Sequence, residues 1–423
     1  MYLKKYGPLI FIIFVSIILH MIFLIKNPGI SYNDPTVYPF EMREAYGDSI
    51  IKYGGYDGVN YGKAAEQLVS EGFLGFDSEE PNAYVTPGQP LYLAVNILIS
   101  NVFGVDYIFF TKVFNLIFSV GTVVLLYFIG SILFNHFTGL ITGLIYALYF
   151  PPLHFFRSLL SETPSIFLFC LSFLFLVLAI KRDKGIYHIV FGIIFSITIM
   201  FRPVVAPMIF VPIFVVITKF GVKKSFIIGI QWLIGPVLVI GSWVIRNAVV
   251  LNSFILLSTQ ENPFFAGTFP YFIEDYNKVY QQLIESGLSP NEFGKLRLIN
   301  GLETNPILWI SWYTIGKTMY LFRRPSGWTD YWNLYSEFTT LFYSYHFLIL
   351  LFSILAVFLL WKQKTIKCLA FTILIYICAS NIFIVDERYG FFVMPLITLL
   401  CSFSLSLIIN KVYSFLVSKN QLV

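Results

Sequence analysis

The sequence predicts an all-α polytopic membrane protein of about ten transmembrane helices. Three observations carry that prediction. Of 423 residues, 57% are hydrophobic and only 12% charged, and the mean hydropathy is +0.76, too apolar for a water-soluble globule. The apolar residues fall in runs able to cross a hydrocarbon core of about 30 Å. The lysines, finally, gather in alternate loops between those runs.

In chain order, the first run is 8–26, preceded by Lys4 and Lys5. It is longer than the core of a secretory signal and no A-x-A-like cleavage site follows, so it reads as an uncleaved first span. A polar loop, 27–106, comes next. Within it, 89–103 is apolar but short, and Gln89, Asn96 and Ser100 recur at helical spacing, which predicts a juxtamembrane helix. Further spans fall at 107–133, 138–151, 163–180, 186–201, 204–218 and 225–245. An external region follows. There Ser289, Pro290 and Glu292 form a capping box with proline at the first helical position, predicting a helix that stops before Asn305-Pro306. In 306–322, Trp309, Trp312, Tyr313, Lys317 and Tyr320 suit a second helix lying in the headgroup layer. The last spans are 341–361, 368–384 and 390–410. The chain thus divides into a transmembrane module, 1–247, with its first external loop at 27–106; an external, partly helical region, 248–340; and a C-terminal transmembrane module, 341–423.

Charge sets the topology. With both short segments on the outer surface, the cytoplasmic pieces hold twelve lysines, Arg182 and one acid, Asp183. Their net +12, against a total of +5, leaves −7 for the rest of the chain. Both termini are therefore expected in the cytoplasm. High Lys, Ile, Phe and Tyr usage with little Ala points to an AT-rich genome and a bacterial plasma membrane. Cys170, Cys368, Cys378 and Cys401 all lie in apolar runs and read as packing residues, with neither a disulfide framework nor a CxxC site.

The arginines run against the lysine bias. Arg182 alone is cytoplasmic; Arg43, Arg157, Arg202, Arg246, Arg297, Arg323, Arg324 and Arg388 fall outside, several next to a span. A planar guanidinium grips phosphate oxygens at two points, so a lipid phosphate is the natural partner; the plainer alternative is that each arginine snorkels toward headgroups. No Walker-type loop is present. His20, His154 and His188 are scattered, and Asp386-Glu387 lack histidines at ligand spacing, so no metal and no cofactor is expected.

The order of landmarks resembles the membrane-embedded GT-C glycosyltransferases, especially the dolichyl-phosphate-mannose-protein mannosyltransferases and the lipid A aminoarabinose transferase. The pattern D-x-x-x-Y-x-x-x-A is met by Asp57, Tyr61 and Ala65. TPGQPLY, Thr86 to Tyr92, matches a proline-rich stretch ahead of an interfacial helix, and RSLLSE, Arg157 to Glu162, an acid after R-x-L-L. Arg202-Pro203, a W-x-x-R-N signature at Trp243 to Asn247, and Arg388-Tyr389 with Pro395 complete the series. One departure stands out: relatives carry a lysine in the proline-rich stretch, where this chain has Gly88 and Gln89. Either Lys63 or an arginine supplies that charge, or the donor headgroup is handled differently.

The resemblance implies a sugar transferred from a polyprenyl-phosphate carrier to an acceptor hydroxyl on a protein, glycolipid or cell-wall polymer, at the external face, with no part for nucleic acid. Asp57 is then the general base, and Arg202, Arg246 and Arg388 hold the phosphate. Glu162 joins Asp57 in the catalytic set, holding the donor sugar's hydroxyls or orienting an arginine, and Arg157, Tyr61, Tyr389 and Lys63 join the donor side. Each has a plainer reading. Asp57 suits a turn, with Asp34 as rival base; Glu162 suits a helix start; the tyrosines suit the interface. A lipid-linked-sugar flippase or polysaccharide transporter is the alternative function, but it calls for ionisable groups along mid-membrane, where these runs have almost none.

Overall fold

The structure, a computed structural model, describes residues 2–26, 56–326 and 338–420, which are helical with no strand. Apolar runs become helices because a bilayer leaves every backbone N–H and C=O to be satisfied within its own segment. The first module comprises α1 (Tyr2–Lys26), α2 (Tyr56–Ser70), α3 (Gly88–Phe103), α4 (Tyr107–Leu133), α5 (His136–Ala147), α6 (Phe150–Phe155), α7 (Glu162–Arg182), α8 (Gly185–Phe201), α9 (Phe210–Gly235) and α10 (Gly241–Leu251). Residues 248–340 hold α11 (Asn262–Ala266), α12 (Tyr276–Ser286), α13 (Pro290–Thr304), α14 (Pro306–Ser311) and α15 (Lys317–Leu321). The last module is α16 (Thr339–Leu359), α17 (Lys364–Ser380) and α18 (Glu387–Asn420).

The ten predicted spans fall largely on helical backbone, with interruptions such as 148–149 and 381–384, and among the described residues six continuous helical stretches are long and apolar enough to cross a membrane. One of these, Pro203–Leu251, covers two predicted spans. The loop expected at 219–224 is reduced to a break at Gly221, whose φ of 76° is a left-handed conformation that glycine adopts without a Cβ penalty. α5, at 12 residues, reaches only about 18 Å before a break at 148–149 leads into α6. The last helix is the centre of the bundle. In α18, 78% of the most apolar window is buried, against 22–56% in the other five stretches, and it packs on α5, α16 and α17.

Two faces point the other way from the sequence expectation. On α3, Gln89 and Asn96 do share a face, but it is buried: Gln89 donates to the Leu159 carbonyl at 2.5 Å and Asn96 to the Thr111 hydroxyl at 2.9 Å. Leu91, Val95, Leu98 and Val102 are the exposed side. Periodicity identifies a polar stripe without saying whether water or protein satisfies it. In 306–321 the same reversal holds, since Trp309, Trp312 and Lys317 are buried while Ile307, Ile310, Ile315 and Met319 face outward. The Lys317 ammonium donates to the Asn381 and Phe383 carbonyls, each at 2.8 Å, 3.9 Å from the Tyr313 ring centre. It thereby pins α14–α15 to the turn that leads into α18. The capping box at Ser289 and Glu292 forms as predicted, and α13 ends at Thr304.

Candidate active site

Residues from distant parts of the chain meet in a cavity of about 240 Å³ at one end of the bundle. Asp57 stands in the first turn of α2, a helix start rather than an open turn, and Tyr61, four residues on, shares its face. Glu162 begins α7, Arg202 and Pro203 follow α8, and Arg388 and Tyr389 lie in the first turn of α18. Asp34 and Arg43 lie outside the described residues.

The charged groups form a chain. Arg388 donates through Nη2 to Oδ2 of Asp57 at 2.9 Å, and its Nε is 3.8 Å from Oε1 of Glu162. The same Oε1 accepts from Nη2 of Arg202 at 2.5 Å. Asp386 accepts from the Arg388 backbone N–H at 2.8 Å and sits 3.9 Å from its Nε. The two pairs differ in kind. The Arg202–Glu162 side chains are 9% and 2% exposed, those of Arg388–Asp57 30% and 42%. Burial is the largest influence and disfavours the Arg202 cation, but the Glu162 carboxylate together with Tyr376 and Tyr389 outweighs it, so the guanidinium pKa is raised. Oε2 of Glu162 and Nε of Arg202 are buried without a partner among the described residues. A buried acceptor and a buried donor thus remain beside the cavity for a ligand. Asp57, Glu162 and Asp386 outnumber Arg202 and Arg388, so these groups carry one excess negative charge.

The aromatic residues frame that chain. Tyr61 packs on Phe76 with ring centres 5.3 Å apart, and burial followed by the nearby Asp57 charge raises its phenol pKa, keeping it a donor. The Arg202 guanidinium lies 5.7 Å from the Tyr389 ring centre. Ser161, Ser258 and Gln260 also line the cavity. No sequence motif singles them out, and Asp386 was considered there only as a metal ligand. Among the described residues no group of three or more His, Cys, Asp or Glu is placed to hold a metal.

Three other expected site residues lie elsewhere. Arg246 lines a separate apolar cavity of about 570 Å³ that shares Phe201 with the first. It donates to the carbonyls of Asn82 at 2.9 Å and Leu74 at 3.3 Å, and to the Asn247 side chain at 3.0 Å. Arg157 is buried on the turn before α7, its guanidinium 3.3 Å and 3.4 Å from the backbone oxygen and Nδ1 of His154. Lys63, six residues beyond Asp57 on α2, is turned to another side and lines a surface pocket with Glu66, Glu71, Asp77 and Glu79. Outside this site, Arg323 and Arg324 both engage Glu387, and Arg297 engages Glu274. Most of the arginines expected on the outer side are therefore held in internal ion pairs or on backbone carbonyls among the described residues.

Residues 86–245 match the family described as dolichyl-phosphate-mannose-protein mannosyltransferase. The match takes in Glu162 and Arg202, stops one residue short of Arg246, and leaves out Asp57 and Arg388. The whole chain also superposes on the Archaeoglobus fulgidus oligosaccharyltransferase in its apo form, with TM-score 0.56 and 14% identity, covering 100% of this chain and 52% of that one. The fold is GT-C. A second structure, the oligosaccharyltransferase AglB from the same organism in complex with an inhibitory peptide and a dolichol-phosphate, gives TM-score 0.56 and 13% identity with the same coverage. ArnT from Cupriavidus metallidurans bound to undecaprenyl phosphate aligns over 94% of this chain and 78% of its own, at 10% identity and TM-score 0.44, too low to argue from. The chain spans about half the length of the oligosaccharyltransferase. By sequence, no curated protein matches it.

Proposed function

We propose that this chain is a membrane glycosyltransferase that moves a sugar from a polyprenyl-phosphate carrier to an acceptor hydroxyl at the external face. The observation that carries the reading is the linked set Asp57–Arg388–Glu162–Arg202, drawn from four elements into one polar cavity at an end of a bundle whose walls are otherwise apolar. In the transfer, the acceptor oxygen bonds to the anomeric carbon as the bond from that carbon to the carrier phosphate breaks. The acceptor proton passes to a carboxylate, and the phosphate leaves with more negative charge than it brought.

Arg388 links the two halves of that reaction. Its pair with Asp57 is partly exposed, so a phosphate oxygen competes for the same Nη2 at little cost. Donor binding then releases the Asp57 carboxylate to accept a proton. Arg202 stays with Glu162 and turns its unpartnered Nε to the donor, while Glu162 Oε2 accepts from a sugar hydroxyl. The apolar cavity beside Arg246 takes the polyprenyl chain, and Arg246 itself holds the 74–82 loop in place.

The test is transfer of radiolabel from a pool of polyprenyl-phosphate monosaccharides to a membrane extract, by the purified protein and by Asp57→Asn. General-base loss lowers the rate about 10²- to 10⁴-fold. Equal consumption by both proteins removes Asp57 from the mechanism. Consumption by neither, across donors of all available sugars, removes the glycosyltransferase reading.

A further inference from the structure

A second cavity, of about 300 Å³, opens at the far end of the bundle from Asp57. α7 fixes the separation: Glu162 begins it in the first cavity, and Lys181, in its last turn, lines the second, about 28 Å along the helix axis. α8, α17 and the start of α9 complete the enclosure.

The interior is apolar. Phe169, Phe173, Leu176, Phe195, Met208 and Leu369 form most of the wall. Of three hydroxyls in the lining, Ser172 and Thr372 are satisfied within their own helices, donating to the Phe169 and Cys368 carbonyls at 2.8 Å and 2.7 Å, and Thr365 stands beside Lys364 at the start of α17. Such a wall gives water little to bond to, and left empty it forfeits the dispersion contacts of its lining.

One end is strongly basic. Lys181, Lys219 and Lys364 converge on the cavity from three helices. The ammoniums of Lys181 and Lys219 are held in place by donating to the Ile132 and Ile180 carbonyls. Each ammonium has three N–H groups, so both keep donors for an anion. Asp183, the acid at this end of α7, is engaged by Lys224. An apolar interior with a fixed cationic rim fits an amphiphile: a soluble anion has no use for the wall, and neutral hydrocarbon has none for the lysines.

We propose that this cavity binds one anionic phospholipid, an acyl chain lying among the phenylalanines and leucines and the phosphate on Lys181, Lys219 and Lys364. The site is separate from the transfer chemistry and does not depend on it.

Native mass spectrometry of the purified full chain tests this, with added phosphatidylglycerol, phosphatidylcholine of the same acyl chains, or undecaprenyl phosphate. The expected result is one phosphatidylglycerol retained per chain, about tenfold in preference to phosphatidylcholine. Substituting all three lysines (K181Q, K219Q, K364Q) abolishes the preference, and Cys368→Trp, which fills the wall from α17, reduces retention of both phospholipids. The lysine variants are at the surface, so the test survives if Cys368→Trp does not fold. Equal retention of the two phospholipids, or a preference unchanged by the lysine substitutions, overturns the site. Stronger retention of undecaprenyl phosphate than of phosphatidylglycerol overturns the choice of occupant.

Discussion

Nη2 of Arg388 lies 2.9 Å from Oδ2 of Asp57, so the first turn of α18 grips the first turn of α2 across 331 residues of sequence. An ion pair this open to solvent contributes little to stability, about 0 to 1 kcal/mol. Its interest is chemical. The contact holds a carboxylate beside a two-point anion binder, in a cavity that also contains a buried, only partly satisfied pair.

Arg388→Lys keeps the charge and loses the fork. Nε and Nη2, which here face Glu162 and Asp57 separately, cannot be reproduced by a single ammonium. Sugar transfer is expected to fall about 10²-fold in kcat/KM with folding intact. Wild-type kinetics in this variant would show that the guanidinium plays no part in holding the donor.

Glu162→Gln should act on stability as well as activity. It strips a buried guanidinium of its carboxylate, and breaking such a pair costs about 3 kcal/mol. Asp57→Asn, at the exposed pair, should cost under about 1 kcal/mol. Unfolding of the two variants in detergent, followed by tryptophan fluorescence, separates them; equal losses would mean that burial does not distinguish the pairs.

Lys317 gives the fold a pH dependence. Burial pushes its ammonium down to about 7, so between about pH 7 and pH 10 the unfolded chain holds a proton that the folded chain has lost. Stability therefore rises with pH across that window and levels off below it. Lys317→Met should flatten the rise. Melting temperatures of the two proteins from about pH 6 to 9.5 make the comparison, and parallel curves would contradict it.

Topology can be settled by labelling intact cells. In a background lacking the four native cysteines, Cys at Glu79 or Lys278, both exposed, should react with an impermeant maleimide, whereas Cys at exposed Lys223 should not. Reaction at Lys223 reverses the orientation and puts the Asp57 cavity on the cytoplasmic side.

The sequence makes the helical segments legible because hydropathy is a local property, and the Ser289–Glu292 box because capping is settled within four residues. It also names Asp57, Glu162, Arg202 and Arg388, which the fold brings together. What it leaves hidden depends on partners far along the chain. Arg246 looks like its fellow arginines until its acceptors at Asn82 and Leu74, 164 and 172 residues away, are in place. The polar face of α3 and the aromatic face of 306–321 are visible as stripes, but only packing decides that both turn inward. Gly221 carries no signal distinguishing a left-handed break from an ordinary loop.

Gly88 is the first residue of α3, and a Cβ there would lie 2.6 Å from the Met200 carbonyl oxygen and 2.7 Å from the Phe201 ring, directly ahead of Arg202. Both helices are backbone at that contact, so a larger residue would have to pry them apart. A lysine at position 88 would therefore have to shift the Met200–Phe201 turn of chain that leads directly into Arg202. A cation at this seam has to come from Arg202 or Arg388, so a search for the proposed donor sugar is better directed at the surfaces of those two residues than at position 88.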